Sequence, residues 1–446
     1  MKRASFLIVN LLCAISLLMA QNNKEAQLVK KGWNFGALPT ITFDTDLGFQ
    51  YGALVNLYNY GDGSRYPNYN HSLYFEVSHF TKGSGIYRFY YDSDQLIKGL
   101  QTLMDLSYLP DQAYDFYGFN GYDSKYNADW VDDEQPDDIY KTRMFYKYQR
   151  KLFRWKVDVQ GKLSGDKIRW IAGFNFLNFD ISSVDIDKLN KGKEGDDLLP
   201  DVDGLFEKYQ EWNVISQEEA NGGFVPTFKA GLVFDTRDNK PNPMKGIWTE
   251  AVIEAVPEIF GSESSFSKLS LTHRQYFTLI PDDLSFVYRL NYQTTLGGEV
   301  PFYYQSQVIT SILKGASSEG LGGAKTLRGI MRNRIVGDGY FLGNAEMRWK
   351  FKRFQLINNN FYLGLNAFVD FGMVTKKIES LEKLMVISSI PQPDYFNWDS
   401  EKLHTSYGLG LRVAMNENFI ISFDYGLAAN EQDGKSGFYM GLNYLF

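Results

Sequence analysis

From about residue 34 to the C-terminus the chain alternates apolar and polar side chains with a period of two, broken only by polar loops. That is the spacing of strands with two unlike faces. Along 284–293, Leu284, Phe286, Tyr288, Leu290 and Tyr292 share one face. Ser285, Val287, Arg289, Asn291 and Gln293 take the other. In 361–371, Phe361, Leu363, Leu365, Ala367, Val369 and Phe371 oppose Tyr362, Gly364, Asn366, Phe368 and Asp370. In 341–351, Phe341, Met347, Trp349 and Phe351 oppose Asn344, Glu346, Arg348 and Lys350, and 168–177, 224–234 and 419–427 read alike. Beyond the N-terminus no apolar run nears the ~18 residues of a membrane helix, which excludes a helical membrane protein. The 34 Phe, 30 Tyr and 8 Trp carry too much apolar surface for a disordered chain.

Alternation alone fits a soluble sandwich as well as a membrane barrel, and three features favour the barrel. The polar faces hold Arg, Lys, Glu, Asp and Gln, as a water-filled lumen requires. The apolar faces are rich in the aromatic residues of interfacial girdles. Short turns alternate with long loops, at roughly 109–140, 182–223, 298–338 and 372–402, the asymmetry of periplasmic turns and outer loops. Reading 140–163 as one strand gives an even count and predicts an all-β, transmembrane antiparallel barrel of 16 strands. Residues 1–20 read as a signal peptide, with Lys2 and Arg3 before the apolar stretch Phe6–Met19 and a cleavage point after Ala20. A short periplasmic segment, 21–33, then precedes the barrel, 34–446. The single cysteine, Cys13, lies in the leader, so disulfides play no part. A net charge of −7 argues against nucleic acid as a partner.

Two stretches are more specific. Residues 234–246 read FDTRDNKPNPMKG, and residues 322–330 read GGAKTLRGI late in the loop 298–338. GNAEMRW (343–349), FVDFG (368–372) and an aromatic C-terminus follow. This order resembles the BamA/TamA superfamily of outer-membrane assembly and translocation barrels, the surface-antigen family. The resemblance implies that the long sixth outer loop folds into the lumen and that its tip motif meets acids of the inner wall. The matching positions here are Leu327, Arg328, Gly329 and Ile330, with Ile330 where the family usually has Phe or Tyr. Glu346 and Asp370 both fall on inward faces by parity, so an Arg328 fork is expected to pair with them.

The resemblance also implies a sideways-opening seam between first and last strands. Pro39, which cannot donate to a ladder, is expected to weaken the first strand there. Phe438, Met440, Leu442, Tyr444 and Phe446 are expected on one face of the last strand, with Tyr444 and Phe446 at the seam. Family members that assemble or secrete proteins carry POTRA domains before the barrel. Only about a dozen residues lie between the cleavage point and the first strand here, so a separate periplasmic or lipoprotein partner is expected to deliver polypeptide clients.

Other constellations point nowhere. His71, His79, His273 and His404 have no metal spacing, no G-x-S-x-G elbow occurs, and Asp201-Val-Asp203-Gly204 fails as a calcium loop at Leu199 and Gln210. The acids Asp129, Asp132, Asp133, Glu134, Asp137 and Asp138 read as a solvated outer loop. No cofactor, metal or enzymatic activity is expected. The sequence thus predicts an integral outer-membrane barrel, embedded in lipid, that inserts or passes outer-membrane or surface proteins. A passive channel for small solutes and a structural subunit of an envelope complex stand as alternatives.

Overall fold

A computed structural model describes residues 28–44, 47–258, 261, 262, 264–311, 320–382, 384 and 392–446. The expected leader 1–20 and residues 21–27 lie outside the described residues. Sixteen strands follow one another: β1 (Trp33–Asp44), β2 (Gly48–Asn59), β3 (His71–Phe80), β4 (Gly85–Ile97), β5 (Leu100–Asp115) and β6 (Lys147–Ser164). Then come β7 (Ile168–Ser182), β8 (Gly222–Asp235), β9 (Gly246–Val256), β10 (Phe266–Ile280) and β11 (Leu284–Gly298). The last five are β12 (Gly339–Leu356), β13 (Asn359–Lys376), β14 (His404–Met415), β15 (Phe419–Ala428) and β16 (Ser436–Leu442). They form one antiparallel sheet in chain order, each strand paired with its sequence neighbours. Among the described residues no helix is long and apolar enough to cross a membrane.

The burial is inside-out relative to a soluble protein, and parity is its cause. On β13 the outward Leu365 and Val369 are exposed, while the inward Asn366 and Asp370 are buried. On β3 the outward Phe75 and Val77 are exposed and the inward Ser78 is buried. His71 and His79 sit on this outward face, against the hydroxyls of Tyr91 and Tyr87 at 2.9 Å each. Each pairs with a tyrosine of the neighbouring strand. Such a surface is stable only where lipid replaces water, and the antiparallel ladders running from β1 to β16 satisfy the backbone between neighbouring strands there.

One end of the barrel carries the turns 60–70, 98–99, 165–167, 236–245, 281–283, 357–358 and 416–418. The other carries the long loops L3 (116–146), L4 (183–221), L6 (299–338) and L7 (377–403), with the shorter L8 (429–435). By the asymmetry of outer-membrane barrels this second end faces outward. The outer loops are folded rather than splayed. Phe116, Phe119 and Phe145 of L3, Phe206 and Tyr209 of L4, Phe302 of L6 and Phe396 of L7 form one buried aromatic core. A helix, Leu205–Glu211, supplies the L4 residues. About nine to eleven residues suffice to cross a bilayer core, so the 18-residue strands β6, β12 and β13 extend well beyond it. Their outer ends are walls that carry this dome.

Candidate functional site

Loop L6 enters the lumen as two limbs, and each is fixed by different strands. The first limb descends from Pro301. Lys268 of β10 donates to Gln305 at 2.9 Å, and Gln293 of β11 brackets the limb by donating to the Gln307 carbonyl and accepting from the Ile309 amide, each at 2.8 Å. Thr310 donates to Glu250 of β9 at 2.7 Å, and Ser311 donates to the same carboxylate. Parity marks Glu250 and Gln293 as inward, yet nothing in the sequence says that a loop backbone passes them.

The returning limb carries the tip motif. Arg328 forks onto Asp370 of β13, Nε to Oδ2 at 2.9 Å and Nη2 to Oδ1 at 3.0 Å. The Arg328 amide also donates to Asp370 Oδ2 at 3.0 Å. Nη1 lies 2.7 Å from Glu346 Oε1 of β12 and 3.5 Å from Asp424 Oδ1 of β15. The guanidinium is fully buried and sits over the Phe368 ring, 3.5 Å from its centroid. Burial works against its charge, but Asp370 and then Glu346 outweigh that cost and raise its pKa above the ordinary arginine value. Around this centre Glu346 also accepts from Arg348 at 2.6 Å, and Arg412 Nη2 donates to both carboxylate oxygens of Asp424 at 2.9 and 3.0 Å. The structure therefore brings Arg328, Glu346 and Asp370 together, and adds Phe368 and Asp424 to them. Both added residues stand on inward faces in the sequence, where parity alone could have found them.

The flanking motif residues fit for separate reasons. Leu327 and Ile330 are buried with Leu321, Ile335, Tyr340, Leu342 and Val374. Ile330 thus fills an aliphatic pocket, and the aromatic contact to the motif comes from the wall through Phe368. Gly329 has φ +93°, and a Cβ there would stand 2.7 Å from the backbone of Gly426 and Leu427. A Cβ on Gly426 would in turn stand 2.7 Å from the Arg328 and Gly329 backbone, so two glycines let loop and wall touch main chain to main chain. The Gly329 amide donates to the Tyr439 hydroxyl of β16 at 3.0 Å, tying the tip to the last strand.

The seam differs from every other strand junction. Among the described residues β1 and β16 form no ladder, whereas β1 is registered with β2 from Trp33↔Asn59 to Asp44↔Gly48. Pro39 lies on the exposed outer face and keeps register with Ala53. The expected weakening thus does not interrupt pairing with β2; the open edge of β1 is the one facing β16. Side chains and turns span the gap at the inner end. Tyr58 donates to the Asn418 carbonyl at 2.9 Å, and Asn418 donates to Tyr60 at 3.0 Å and to the Pro67 carbonyl at 2.6 Å. Leu28 and Asn360 exchange two hydrogen bonds of 2.9 and 2.8 Å. The Phe419 ring fills the space that a side chain at Gly36 would need. Behind the seam a cavity of about 220 Å³ is lined by Leu38, Leu54, Glu76, Arg88, Lys325 and Leu442. Burial pushes the Lys325 pKa down to about 8.

The expected placement of Tyr444 and Phe446 on one face of the last strand with Phe438, Met440 and Leu442 is corrected by the structure. β16 ends at Leu442, and Asn443 takes a left-handed conformation, φ +68°. The chain then turns inward. Phe438 and Met440 remain on the exposed face, whereas Tyr444 is buried with Tyr362, Ala414 and Ile420. The Arg348 guanidinium lies 4.4 Å from the Tyr444 ring centroid and 4.8 Å from that of Phe446. It also donates to the Phe446 carbonyl at 3.1 Å. Stacking on luminal arginines outweighs continued alternation once Asn443 breaks the strand.

Sixteen antiparallel strands with an apolar belt, a charged lumen and an inward-folded sixth outer loop define an integral outer-membrane β-barrel. The chain belongs to the Omp85 superfamily: that family's domain matches residues 98–446, which include both the tip motif and its acids. Among solved structures it is similar to BamA from Haemophilus ducreyi lacking POTRA domains 1-3, with a TM-score of 0.51 and 13% identity, over 93% of this chain and 70% of that one. It is also similar to CdiB from Escherichia coli, with a TM-score of 0.52 and 10% identity, over 92% of this chain and 62% of that one. At these identities the likeness is one of fold. No curated protein matches the sequence.

Proposed function

We propose that this barrel inserts outer-membrane polypeptides, or passes them to the surface, at the β1–β16 seam, with a separate periplasmic or lipoprotein partner delivering the clients. The observation that carries this reading is the seam itself. It is the one junction between chain-end strands, it has no ladder among the described residues, and it leaves a twelve-residue edge on β1. An unpaired strand edge is a template for strand addition. Membership in the Omp85 superfamily and the BamA- and CdiB-like fold support the same class of work. In this reading the Arg328 cluster holds L6 to β12, β13 and β15 and sets the resting position of the wall beside the seam. The acids in this cluster are ligands of a loop arginine, and the reading assigns them no catalytic step.

Depletion of the chain in its native cells, followed by quantitation of the other outer-membrane proteins, tests this. Specific barrels or surface proteins should fall and recover with the wild-type chain. A variant with cysteines at Thr40 and Gly441, which line one cavity across the seam, should restore them only under reducing conditions. An unchanged outer-membrane proteome, together with ion conduction by the pure protein in planar bilayers, would instead establish a passive channel.

A further inference from the structure

At the outer end of β14, His404 is completely buried between two carboxylates. Its Nδ1 lies 2.7 Å from Asp433 Oδ1 of L8, and its Nε2 lies 3.2 Å from Glu401 Oε2 of L7. The Tyr122 ring of L3 stacks on the imidazole at 3.7 Å with an interplanar angle of 15°. Tyr122 donates its hydroxyl to Asp433 at 2.6 Å and its amide to Glu401 at 2.8 Å. Arg334 of L6 is buried beside them, 3.9 Å from Asp433, and donates to the carbonyls of Gln432, Gly121 and Ser124 at 2.7 to 2.9 Å. The Met331 amide donates to the Asp433 carbonyl at 2.9 Å, which places this cluster three residues from the Arg328 anchor. On its edge Lys402 lies 5.7 Å from the Tyr122 centroid, and Asp123 holds Lys377 at 2.7 Å.

Two facts set the protonation of the ring. Both nitrogens face carboxylate oxygens, so both must donate, and only the imidazolium has two N–H groups. Among the groups buried against the ring, Arg334 and the imidazolium offset Asp433 and Glu401, while Lys377 and Asp123 on the edge offset each other. A neutral ring would turn a lone pair onto a carboxylate and leave one buried negative charge without a counterpart.

We propose that protonated His404 is a second lock on the outer face, one that pins L3, L6, L7 and L8 to each other and opens when the ring loses its proton. The dome is closed at neutral and mildly acidic pH and loosens as pH rises. The Arg328 guanidinium in the lumen keeps its charge throughout this range.

The test is limited proteolysis of the full-length barrel in detergent micelles, from pH 6 to 9, scored for cuts in L3 and L7 and normalised to a denatured chain. Cutting of the wild type should rise about tenfold, the effect of losing one charge-assisted hydrogen bond. His404→Gln should be cut readily at pH 6 and respond little to pH. Asp433→Asn is the decisive variant, because its amide donates to a neutral imidazole; it should stay protected at pH 9. A wild type that is flat across the range would overturn the lock, as would an Asp433→Asn variant that responds to pH like the wild type. Unaltered folding is checked by heat-modifiable migration on gels.

Discussion

The β12–β13 wall and the β16–β1 seam lie on opposite sides of the tip of L6, and they are built in opposite ways. The wall is two 18-residue strands registered from Gly339↔Lys376 to Leu356↔Asn359, and it supplies Glu346, Phe368 and Asp370 to one arginine. The seam joins a twelve-residue strand to a seven-residue one with no ladder between them among the described residues, held by Tyr58, Asn418, Leu28 and Asn360 near its inner end. Backbone ladders add cooperatively along a strand, whereas isolated side-chain contacts are broken one at a time. The comparison teaches that resistance to opening is concentrated on one side of the barrel. Because Gly329 also donates its amide to Tyr439 of β16, L6 is the element through which the strong side reaches the weak one.

The sharpest way to break this comparison is Arg328→Ala. It leaves Asp370 buried without its fork, a loss of about 3–5 kcal/mol. The thermal midpoint should fall, and L6 should become open to protease. An unchanged midpoint would remove the wall's special status. Gly426→Ala should follow at about 1–3 kcal/mol, since its Cβ meets the Arg328 and Gly329 backbone. Its signature is loosened L6 with the strand ladders intact, read by hydrogen exchange.

Asn418→Ala acts on the other side, removing donors to Tyr60 and Pro67 for about 1–2 kcal/mol. Global stability should hardly move, while disulfide formation across the Thr40 and Gly441 positions should slow. Equal damage from Asn418→Ala and Arg328→Ala would mean that the two sides are not unlike. The smallest effect belongs to Lys325→Met. Lys325 titrates at about 8 when folded and near ~10.4 when unfolded. The unfolded chain therefore binds more protons between those values, and stability rises with pH from about 8 to 10. Methionine should abolish that rise and add about 1 kcal/mol at pH 7, once solvent screening of a half-buried group is allowed for. Urea midpoints at pH 7, 8.5 and 10 check it.

Much of the site was legible because strands have a fixed period. Counting by twos from Asn344 and Asn366 puts Glu346 and Asp370 indoors, and a buried acid demands a cation. The triplet Leu327, Arg328 and Gly329 in the longest late loop offered one. The same counting failed at the C-terminus, where it carried Tyr444 and Phe446 along the face of Phe438 and Met440. Period two holds only while the backbone stays extended, and the left-handed Asn443 ends that. Nothing local signals whether an asparagine will take that conformation. The decision rests with Arg348 and Arg412, which stand far away in sequence and offer stacking sites inside.

The sequence by itself determined the strand number, the inside-out polarity and the two ends of the barrel, because all three follow from periodicity and loop length along one chain. Only the tertiary structure decided which loop backbone meets Glu250 and Gln293, which ring lies on Arg328, and which carboxylates close on His404. Apart from the Glu401–His404 pair, those contacts join residues 14 to 61 positions apart. Their partners are chosen by which strands stand next to each other around the barrel and how far each loop reaches into it, and a linear pattern carries no record of either.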